Sequence, residues 1–429
     1  MGINEIIIWF MMIFMVIGAF DRIMTQFGGS TKILSKVGLG RIGKGIDGAG
    51  HQFDEGFLAM GALGLAMVGI TALAPVIKEV LGPVIIPLYE SVGANPAMFA
   101  GTILAIDMGG YPIAGSLANG DVAAELYSGI ILASMMGATV VFSIPVALGI
   151  INKQDTRFMA LGMLAGIIAI PVGCLVGGIV AMYSNIEVNG QLVVFTFSML
   201  LVNLIPVMVV AILIILGLKL IPEKMISGFQ IFAKILVVII TIGLGAAVFE
   251  YLTGFQIIPG MDPIFNTGDG EMRAIEVIGS ISCVLLGAYP MVFLLTRWFD
   301  KAFMRVGNLL KMNDMAAGGM IATLANNIPM FSMMSKMDNR GKVINCAFAV
   351  CASFTLGDHL GYTAGVMNQM IFPMIAGKLA GGIVGVAIAM LIMPKNINEI
   401  ISEPALESAG DEIEATDPVM TSENVQEKS

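Results

Sequence analysis

The sequence predicts an all-α polytopic membrane protein with about nine to eleven transmembrane helices, two broken or re-entrant segments and an inverted-topology repeat. The chain has 429 residues, of which 57% are hydrophobic and 12% charged, whereas about a quarter of the residues of a soluble domain are charged. Apolar segments of about 20 residues, the length that a helix needs to cross a bilayer, recur along the chain. Two further apolar stretches are interrupted by Gly, Pro and polar residues, and a carboxylate, Asp107, adjoins the first interruption.

Segments long and apolar enough to be predicted spans occur throughout the first 395 residues, which we interpret as one transmembrane domain. The predicted spans are residues 4–24, 56–77, 126–150, 158–183, 193–218, 229–252, 274–298, 343–370 and 374–393.

Two apolar pieces between these spans are too short or too broken to be ordinary crossings. Residues 79–118 contain four prolines, and residues 314–333 contain two adjacent glycines and a proline. A third break is predicted at residues 356–362, inside one of the predicted spans. Irregular backbone at membrane depth persists only inside the protein or beside a water-filled cavity. Each of the two pieces is therefore either a re-entrant hairpin or a discontinuous crossing that lines a site.

The basic residues predict the orientation, because cytoplasmic loops are enriched in Lys and Arg. All of the main basic clusters fall on one side if the N-terminus is outside. The two broken pieces then enter from opposite sides, as in an inverted-topology repeat with halves 1–190 and 225–395 joined by the span 193–218. The clusters are Lys32, Lys36, Arg41 and Lys44; Lys153 and Arg157; Lys219 and Lys224; Arg297, Lys301, Arg305 and Lys311; Lys336, Arg340 and Lys342.

The last segment, residues 396–429, differs in composition from the rest of the chain. It is strongly acidic, has few apolar residues, and is predicted to be a disordered tail on the cytoplasmic side. We interpret it as a solvated tail in preference to a partner-binding one.

Asp107 is the strongest candidate for a solute-binding residue, because ionisable groups inside the membrane are costly and usually functional. Gly109 and Gly110 follow it and free backbone carbonyls, and Tyr111 adds an aromatic face. A carboxylate, exposed carbonyls and a π-face together suit a small organic cation. The alternative is that Asp107 caps its own broken helix or pairs with a distant lysine.

The later breaks supply further candidates. Asp358 and His359 fall at membrane depth, where His359 would either share a proton with Asp358 or be a satisfied structural residue. Asn326 and Asn327 are neutral donors and acceptors that either contact a hydroxyl or amine or cap helix ends. Tyr289 precedes a helix-kinking proline and either faces a cavity or packs against a neighbour.

Several function classes lack their sequence patterns. The chain has no P-loop, no His-Glu-x-x-His, no Cys-x-x-Cys and no Gly-x-Ser-x-Gly motif. No segment is basic and aromatic enough to predict a nucleic-acid interface. We therefore predict no catalytic residue, metal ligand or cofactor. An enzyme, or the ion-translocating subunit of one, remains an alternative in which Asp358 and His359 form an acid–base pair.

The chain closely resembles the ethanolamine utilisation permease family, EutH, from residue 1 to about residue 395. The resemblance implies a multi-pass protein of the bacterial inner membrane that admits ethanolamine as a carbon and nitrogen source and serves the ethanolamine ammonia-lyase pathway. The segments that carry the resemblance are residues 56–67, 107–110, 274–290, 322–329 and 356–359.

This substrate matches the candidate residues. Ethanolamine is a primary amine and, like a lysine side chain, is mostly protonated near neutral pH. Asp107, Tyr111 and Asp358 would bind its ammonium group, and Asn326 or Asn327 its hydroxyl group. The expected partners are this small molecule and the lipid bilayer; a homo-oligomer is compatible with the sequence. A facilitator, a secondary carrier, and an ion-coupled carrier of another small solute all remain open.

Overall fold

The computed structural model describes residues 2–268 and 270–399, so the predicted acidic tail lies outside the described residues from residue 400 onward. The described chain is almost entirely helical and includes one two-stranded β-hairpin, β1 (Glu187–Val188) and β2 (Gln191–Leu192). The chain folds as an all-α polytopic membrane protein, as the composition predicts.

Eight helical segments of the described chain are long and apolar enough to cross a membrane, and they coincide with eight of the nine predicted spans. Many of their large apolar side chains are exposed, as lipid-facing residues must be. The segments are Ile3–Thr25, Gly40–Ala72, Val122–Ile150, Lys153–Met182, Phe197–Leu220, Pro222–Thr253, Ala274–Trp298 and Asn368–Ile392.

The helices follow one another in a simple order along the chain. The stretch Val122–Ile150 contains two π-helical segments, Tyr127–Gly137 and Thr139–Ser143, between α8 and α9. The helices are α1 (Ile3–Thr25), α2 (Ser30–Ser35), α3 (Gly40–Ile46), α4 (Ala49–Ala72), α5 (Ala74–Glu90), α6 (Ala97–Ile103), α7 (Tyr111–Leu117), α8 (Val122–Leu126), α9 (Ile144–Ile150), α10 (Thr156–Met182), α11 (Phe197–Leu220), α12 (Pro222–Thr253), α13 (Ala274–Trp298), α14 (Asp300–Leu309), α15 (Asp314–Ala325), α16 (Asn327–Met333), α17 (Asn339–Ala352), α18 (Asp358–Val366) and α19 (Ile371–Ile392).

The predicted continuous span 343–370 is wrong. The structure divides it into α17 and α18, with an irregular linker at residues 353–357 in which Phe354 has a positive φ of 61°. The linker is stabilised from outside its own helix, because the amides of Phe354 and Leu356 donate to the carbonyls of Thr323 and Leu324 at 3.0 and 2.8 Å. The predicted break at 356–362 is real but lies slightly earlier, and Asp358 begins the new helix.

The predicted span 56–77 is displaced toward the N-terminus. Helix α4 ends at Ala72, and α5 begins at Ala74 with Pro75 in its first turn. Proline has no backbone N–H and therefore favours the start of a new helix. Much of the first predicted broken piece, residues 79–118, is consequently the end of α5, and the break lies beyond it.

Three basic residues mark one end of the bundle, which we call the basic end. Arg22 forms an ion pair with Asp54, which joins the end of α1 to the start of α4. Arg297, at the end of α13, donates to the Asp47 carbonyl at 2.6 Å. Lys342 pairs with Asp155 at 2.6 Å, which joins the starts of α17 and α10. At the opposite end, Asn4 binds the Gln369 carbonyl and the Phe372 amide, both at 2.8 Å.

The first broken piece is a re-entrant hairpin, which we call hairpin A (residues 95–118). Helix α6 enters from the opposite end, the chain turns at residues 104–110, and α7 returns to the same end. Its mouth is closed by the Asn95 side chain, which donates to the Ala118 carbonyl at 3.3 Å and accepts from the Ala97 amide at 2.9 Å.

The second broken piece is also a re-entrant hairpin, which we call hairpin B (residues 313–336), and it enters from the basic end. Its arms are α15 and α16, and the turn lies at Asn326. The Asn313 side chain closes its mouth, donating to the Lys336 carbonyl at 3.0 Å and accepting from the Ala316 amide at 2.9 Å. The two hairpins therefore point toward each other from opposite ends of the bundle.

Helices α10 and α19 cross in close contact near the centre. A Cβ added to Gly377 would lie 2.8 Å from the Gly173 carbonyl oxygen, and one added to Gly381 would lie 3.2 Å from the Gly173 Cα. A Cβ added to Gly177 would lie 3.3 Å from the Gly377 Cα. Small residues at such crossings let the two backbones approach closely. This crossing of glycines is one of the contacts between the first and second halves of the chain.

Candidate functional site

The turn of hairpin A places Asp107 at the centre of the protein. Leu104 and Ala105 are extended, and a short π turn, Ile106–Gly110, then leads into α7. The Gly110 amide donates to the Ala105 carbonyl at 2.8 Å. Gly109 has a φ of +95°, and a Cβ there would lie 2.5 Å from the Ile70 side chain, so both backbone conformation and space require glycine.

Asp358 comes to the centre from the other half, as the first residue of α18. A carboxylate is favoured at this position because a helix N-terminus carries partial positive charge. Asp358 Oδ1 accepts a hydrogen bond of 2.7 Å from the Tyr289 hydroxyl on α13. The preceding Gly357 packs against hairpin B, where a Cβ would lie only 2.2 Å from the Ala325 carbonyl oxygen. The break before α18 therefore packs directly against the turn of hairpin B.

A cavity of about 770 Å³ lies between the basic end and Tyr289. Tyr289 lies at its inner part, bonded to Asp358, and Arg297 lies near the basic end. Asn326 contributes from the turn of hairpin B, where its Oδ1 accepts from the Ile328 amide at 2.9 Å. The lining residues are Gln52, Tyr289, Val292, Phe293, Thr296, Arg297, Ala325 and Asn326.

Asp107 and Asp358, 251 residues apart in sequence, lie close enough to repel each other electrostatically. Tyr111, four residues after Asp107, lies near Glu125 of α8. The Tyr111 ring packs edge-on against Tyr362, with centroids 6.2 Å apart. The site therefore contains several carboxylates and aromatic rings that are only partly exposed, an environment that favours a small cation.

Four of the seven predicted site residues, Asp107, Tyr111, Tyr289 and Asp358, are brought together and are each partly exposed. Asn326 lies on the same cavity as Tyr289. The predicted carboxylate from hairpin A and the predicted break in the second half thus form one site, although their sequence positions give no distance between them.

The remaining two predicted residues, Asn327 and His359, are fully buried. Asn327 donates to Ser143 Oγ at 2.8 Å and to Ser353 Oγ at 3.4 Å, so it links hairpin B to both halves. His359 stacks on Phe354 with centroids 5.0 Å apart, and the hydrogen bond on Asp358 comes from Tyr289. The alternative in which Asp358 and His359 form an acid–base pair therefore receives no support from this contact.

Two site residues were absent from the sequence predictions. Lys378 lies in the middle of α19, is fully buried, and donates from Nζ to the Ser134 carbonyl. A single lysine within a 22-residue apolar helix is itself a signal of function, and it was present in the sequence. Glu125 had no such signal, because it stands at the start of its span, where a carboxylate is unremarkable at the membrane interface.

Comparison with known proteins places this architecture in a family. The model of the ethanolamine utilisation protein family, EutH, matches residues 3–392. The chain belongs to this family. It is 67% identical over 400 residues to a protein of Salmonella typhimurium named "Probable ethanolamine permease EutH", covering 92% of this chain and 97% of that protein. No solved structure gave a significant match.

More distant EutH relatives extend over most of the chain as well. A protein of Listeria monocytogenes with the same name is 52% identical over 401 residues, covering 92% of this chain and 97% of the relative. An uncharacterised Bacillus subtilis protein, YxeR, is 42% identical over 347 residues, covering 81% and 88%. The similarity therefore includes both hairpins and both halves of the central site.

Proposed function

We propose that this chain is a carrier that moves protonated ethanolamine across the bacterial inner membrane, and that it is a transporter in preference to an enzyme. The observation that carries the proposal is that Asp107 and Asp358 come together beside Tyr289, which lines a cavity at the basic end, in a EutH-family protein. The named relatives are probable ethanolamine permeases.

The chemistry of the site fits this substrate class. Two carboxylates at membrane depth repel each other, and a monovalent cation bound between them relieves the repulsion. The Tyr289 hydroxyl already occupies one Asp358 oxygen at 2.7 Å, which leaves the rest of the carboxylate for a ligand. Asn326, on the cavity wall, is placed to contact the substrate hydroxyl through its amide nitrogen, since its Oδ1 accepts from the Ile328 amide.

We further propose that the halves 1–190 and 225–395 are inverted repeats, with α11 as the connector. Equivalent hydrogen bonds support this: Asn95 binds Ala118 in hairpin A, and Asn313 binds Lys336 in hairpin B. Both donors and both acceptors are 218 residues apart. Inverted repeats permit alternating access, because each half adopts in turn the conformation of the other around a fixed site.

The basic end is the cytoplasmic end under the positive-inside rule. The cavity lined by Arg297 and Asn326 then opens to the cytoplasm, and we propose that it belongs to an inward-open state. A cation that has lost its contacts with Asp107 and Asp358 would leave through this cavity. Hairpin A, which enters from the other end, would line the route by which the substrate arrives.

Uptake of labelled ethanolamine into liposomes tests the proposal. We expect saturable uptake by the natural protein, reduced about tenfold or more at limiting substrate in Asp107→Asn and Asp358→Asn, because hydrogen bonds to charged groups contribute about 1.5–3 kcal/mol. Ethylamine should compete with ethanolamine better than ethylene glycol does, since only ethylamine carries the cation.

Glu250→Gln is the matched control, because Glu250 lies near the end of α12 and interacts with Gln256 at 2.8 Å. It should transport normally. Absence of saturable uptake by correctly folded natural protein would contradict the proposed function. Normal uptake by both aspartate variants would leave transport standing and overturn the assignment of the carboxylate site.

A further inference from the structure

Lys378 is a buried lysine within the apolar helix α19. It lies on α19 between the crossing glycines Gly377 and Gly381, and its side chain is 0% exposed. An ammonium group has three N–H donors, and here one of them reaches the Ser134 carbonyl. Burial of a charged group is costly unless other charges compensate it. Within the described residues, Lys378 forms no direct ion pair.

The compensating charge comes from the substrate site. Lys378 and Asp107 attract each other at longer range, and the fully buried thiols of Cys174 and Cys351 lie nearby. Ser134 belongs to the π-helical segment Tyr127–Gly137 of the first half, whereas Lys378 belongs to the second. The ammonium group therefore joins the two halves, and the cavity at the basic end is lined by other residues.

We propose that Lys378 is a built-in counter-cation that takes the place of a co-transported metal cation. Broken-helix transporters commonly hold Na⁺ with backbone carbonyls and carboxylates near the bilayer midplane. Here a backbone carbonyl, Ser134 O, accepts a hydrogen bond from a covalently attached ammonium instead, with the Asp107 carboxylate at longer range. Lys378 and one ethanolammonium ion supply two positive charges to offset those of Asp107 and Asp358, and Glu125, the third carboxylate near the site, lies next to Tyr111. The inference rests on the proposed function and adds that transport needs no Na⁺.

Two consequences separate this role from simple packing. The natural protein should transport ethanolamine equally well with and without Na⁺. Lys378→Met keeps the length of the side chain and removes its charge, leaving Ser134 O and Asp107 without their cation. We expect this variant to need Na⁺, because an oxygen-lined site with excess negative charge attracts a small hard cation. Lys378→Arg keeps the charge and should remain independent of Na⁺.

The experiment measures ethanolamine uptake into liposomes over a range of NaCl concentrations, with NaCl replaced by isosmotic sucrose at the low end. For Lys378→Met we expect the maximal rate of ethanolamine uptake to rise by about tenfold or more as Na⁺ is raised, because a site with one uncompensated negative charge crosses the membrane interior slowly. Lys234→Met is the matched control for ionic strength, because Lys234 lies on α12 with an exposed side chain.

Each outcome decides the inference separately from the proposed function. Na⁺-dependent transport by Lys378→Met, beside Na⁺-independent transport by the natural protein, supports it. A requirement for Na⁺ in the natural protein overturns it while ethanolamine transport stands. Folded Lys378→Met that ignores Na⁺, whether it is fully active or inactive, also overturns it. If Lys378→Met does not fold, the natural protein and Lys378→Arg still test the inference, because a requirement for Na⁺ in either of them overturns it.

Discussion

The Tyr289 hydroxyl and Asp358 form the best-defined polar contact in the site, at 2.7 Å. The contact joins α13 to the start of α18 and holds the carboxylate beside the cavity. Because the hydroxyl binds a charged acceptor, its hydrogen bond is stronger than one between neutral groups. At the residue scale, the position of Asp358 therefore depends on a tyrosine that need not touch the substrate.

Removal of this hydroxyl should weaken substrate binding more than it slows transport. For Tyr289→Phe we expect the half-saturating ethanolamine concentration to rise about tenfold, as the loss of a hydrogen bond to a charged group predicts. The maximal rate should change less. Kinetics of uptake into liposomes measure both quantities.

Tyr251→Phe is the control for this substitution, because the Tyr251 ring stacks on Phe265 and is 58% exposed. It should behave as the natural protein does. An unchanged half-saturating concentration in Tyr289→Phe would show that Asp358 does not rely on this bond.

The sequence identifies individual site residues where their residue type is rare in the surrounding apolar segment. Asp107 and Asp358 stand out because carboxylates are scarce in apolar segments. The contact between Tyr289 and Asp358 was not predictable, since it joins residues 69 positions apart on helices whose packing the sequence does not give. Glu125 gave no signal of its own, because it lies at the start of its span, and its approach to Tyr111 depends on how α8 packs against α7.

At the scale of helices and breaks, prediction succeeded where local chemistry decides the structure. The turn of hairpin A follows from Gly109, which alone tolerates its backbone conformation and its contact with Ile70. The sequence predicts the break at residues 356–362 but not its earlier start at residue 353, because the linker 353–357 has no proline. That linker is held by bonds from Phe354 and Leu356 to hairpin B. The start of the break is therefore a tertiary feature that local propensity does not give.

Substitution by alanine should change stability in opposite directions at two helical glycines. One is Gly377, at the crossing of α10 and α19, and the other is Gly61, away from it. For Gly377→Ala, the added Cβ would meet the Gly173 carbonyl oxygen at 2.8 Å and the Gly177 Cα at 3.0 Å. Backbone atoms cannot rotate away, so we expect a loss of about 1–3 kcal/mol from overpacking. The midpoint of thermal unfolding in detergent should fall.

Gly61→Ala is the matched substitution, because a Cβ at Gly61 on α4 has no neighbour within 4 Å. Here only the helix propensity changes, and alanine should raise stability by about 0.5–1 kcal/mol. The same direction of change in both variants would indicate that the crossing is looser than the structure shows.

At the scale of the whole molecule, the two halves differ in one respect that bears on transport. In the second half, α13 is continuous from Ala274 to Trp298 and lines the cavity at the basic end. In the first half, the chain is interrupted at Leu73, between α4 and α5. The spacing of 218 residues that relates the hairpins also relates Val292 on the cavity wall to Ala74, which is 2% exposed. One half is open and its proposed counterpart is closed.

Alternating access therefore predicts that Ala74 becomes accessible from the end opposite the basic one when the cavity closes. In a Cys283→Ala background, which removes the exposed native cysteine, we expect Ala74→Cys to react slowly with an impermeant maleimide. Saturating ethanolamine should speed this reaction, because the bound substrate lets the site pass between its two states. Thr296→Cys, on the cavity wall, should lose reactivity from the basic end under the same conditions. The denatured protein, in which Ala74→Cys should react fully, is the control. If Ala74→Cys in the folded protein stays protected with and without ethanolamine, the two halves do not exchange conformations. The cavity at the basic end would then be a permanent feature.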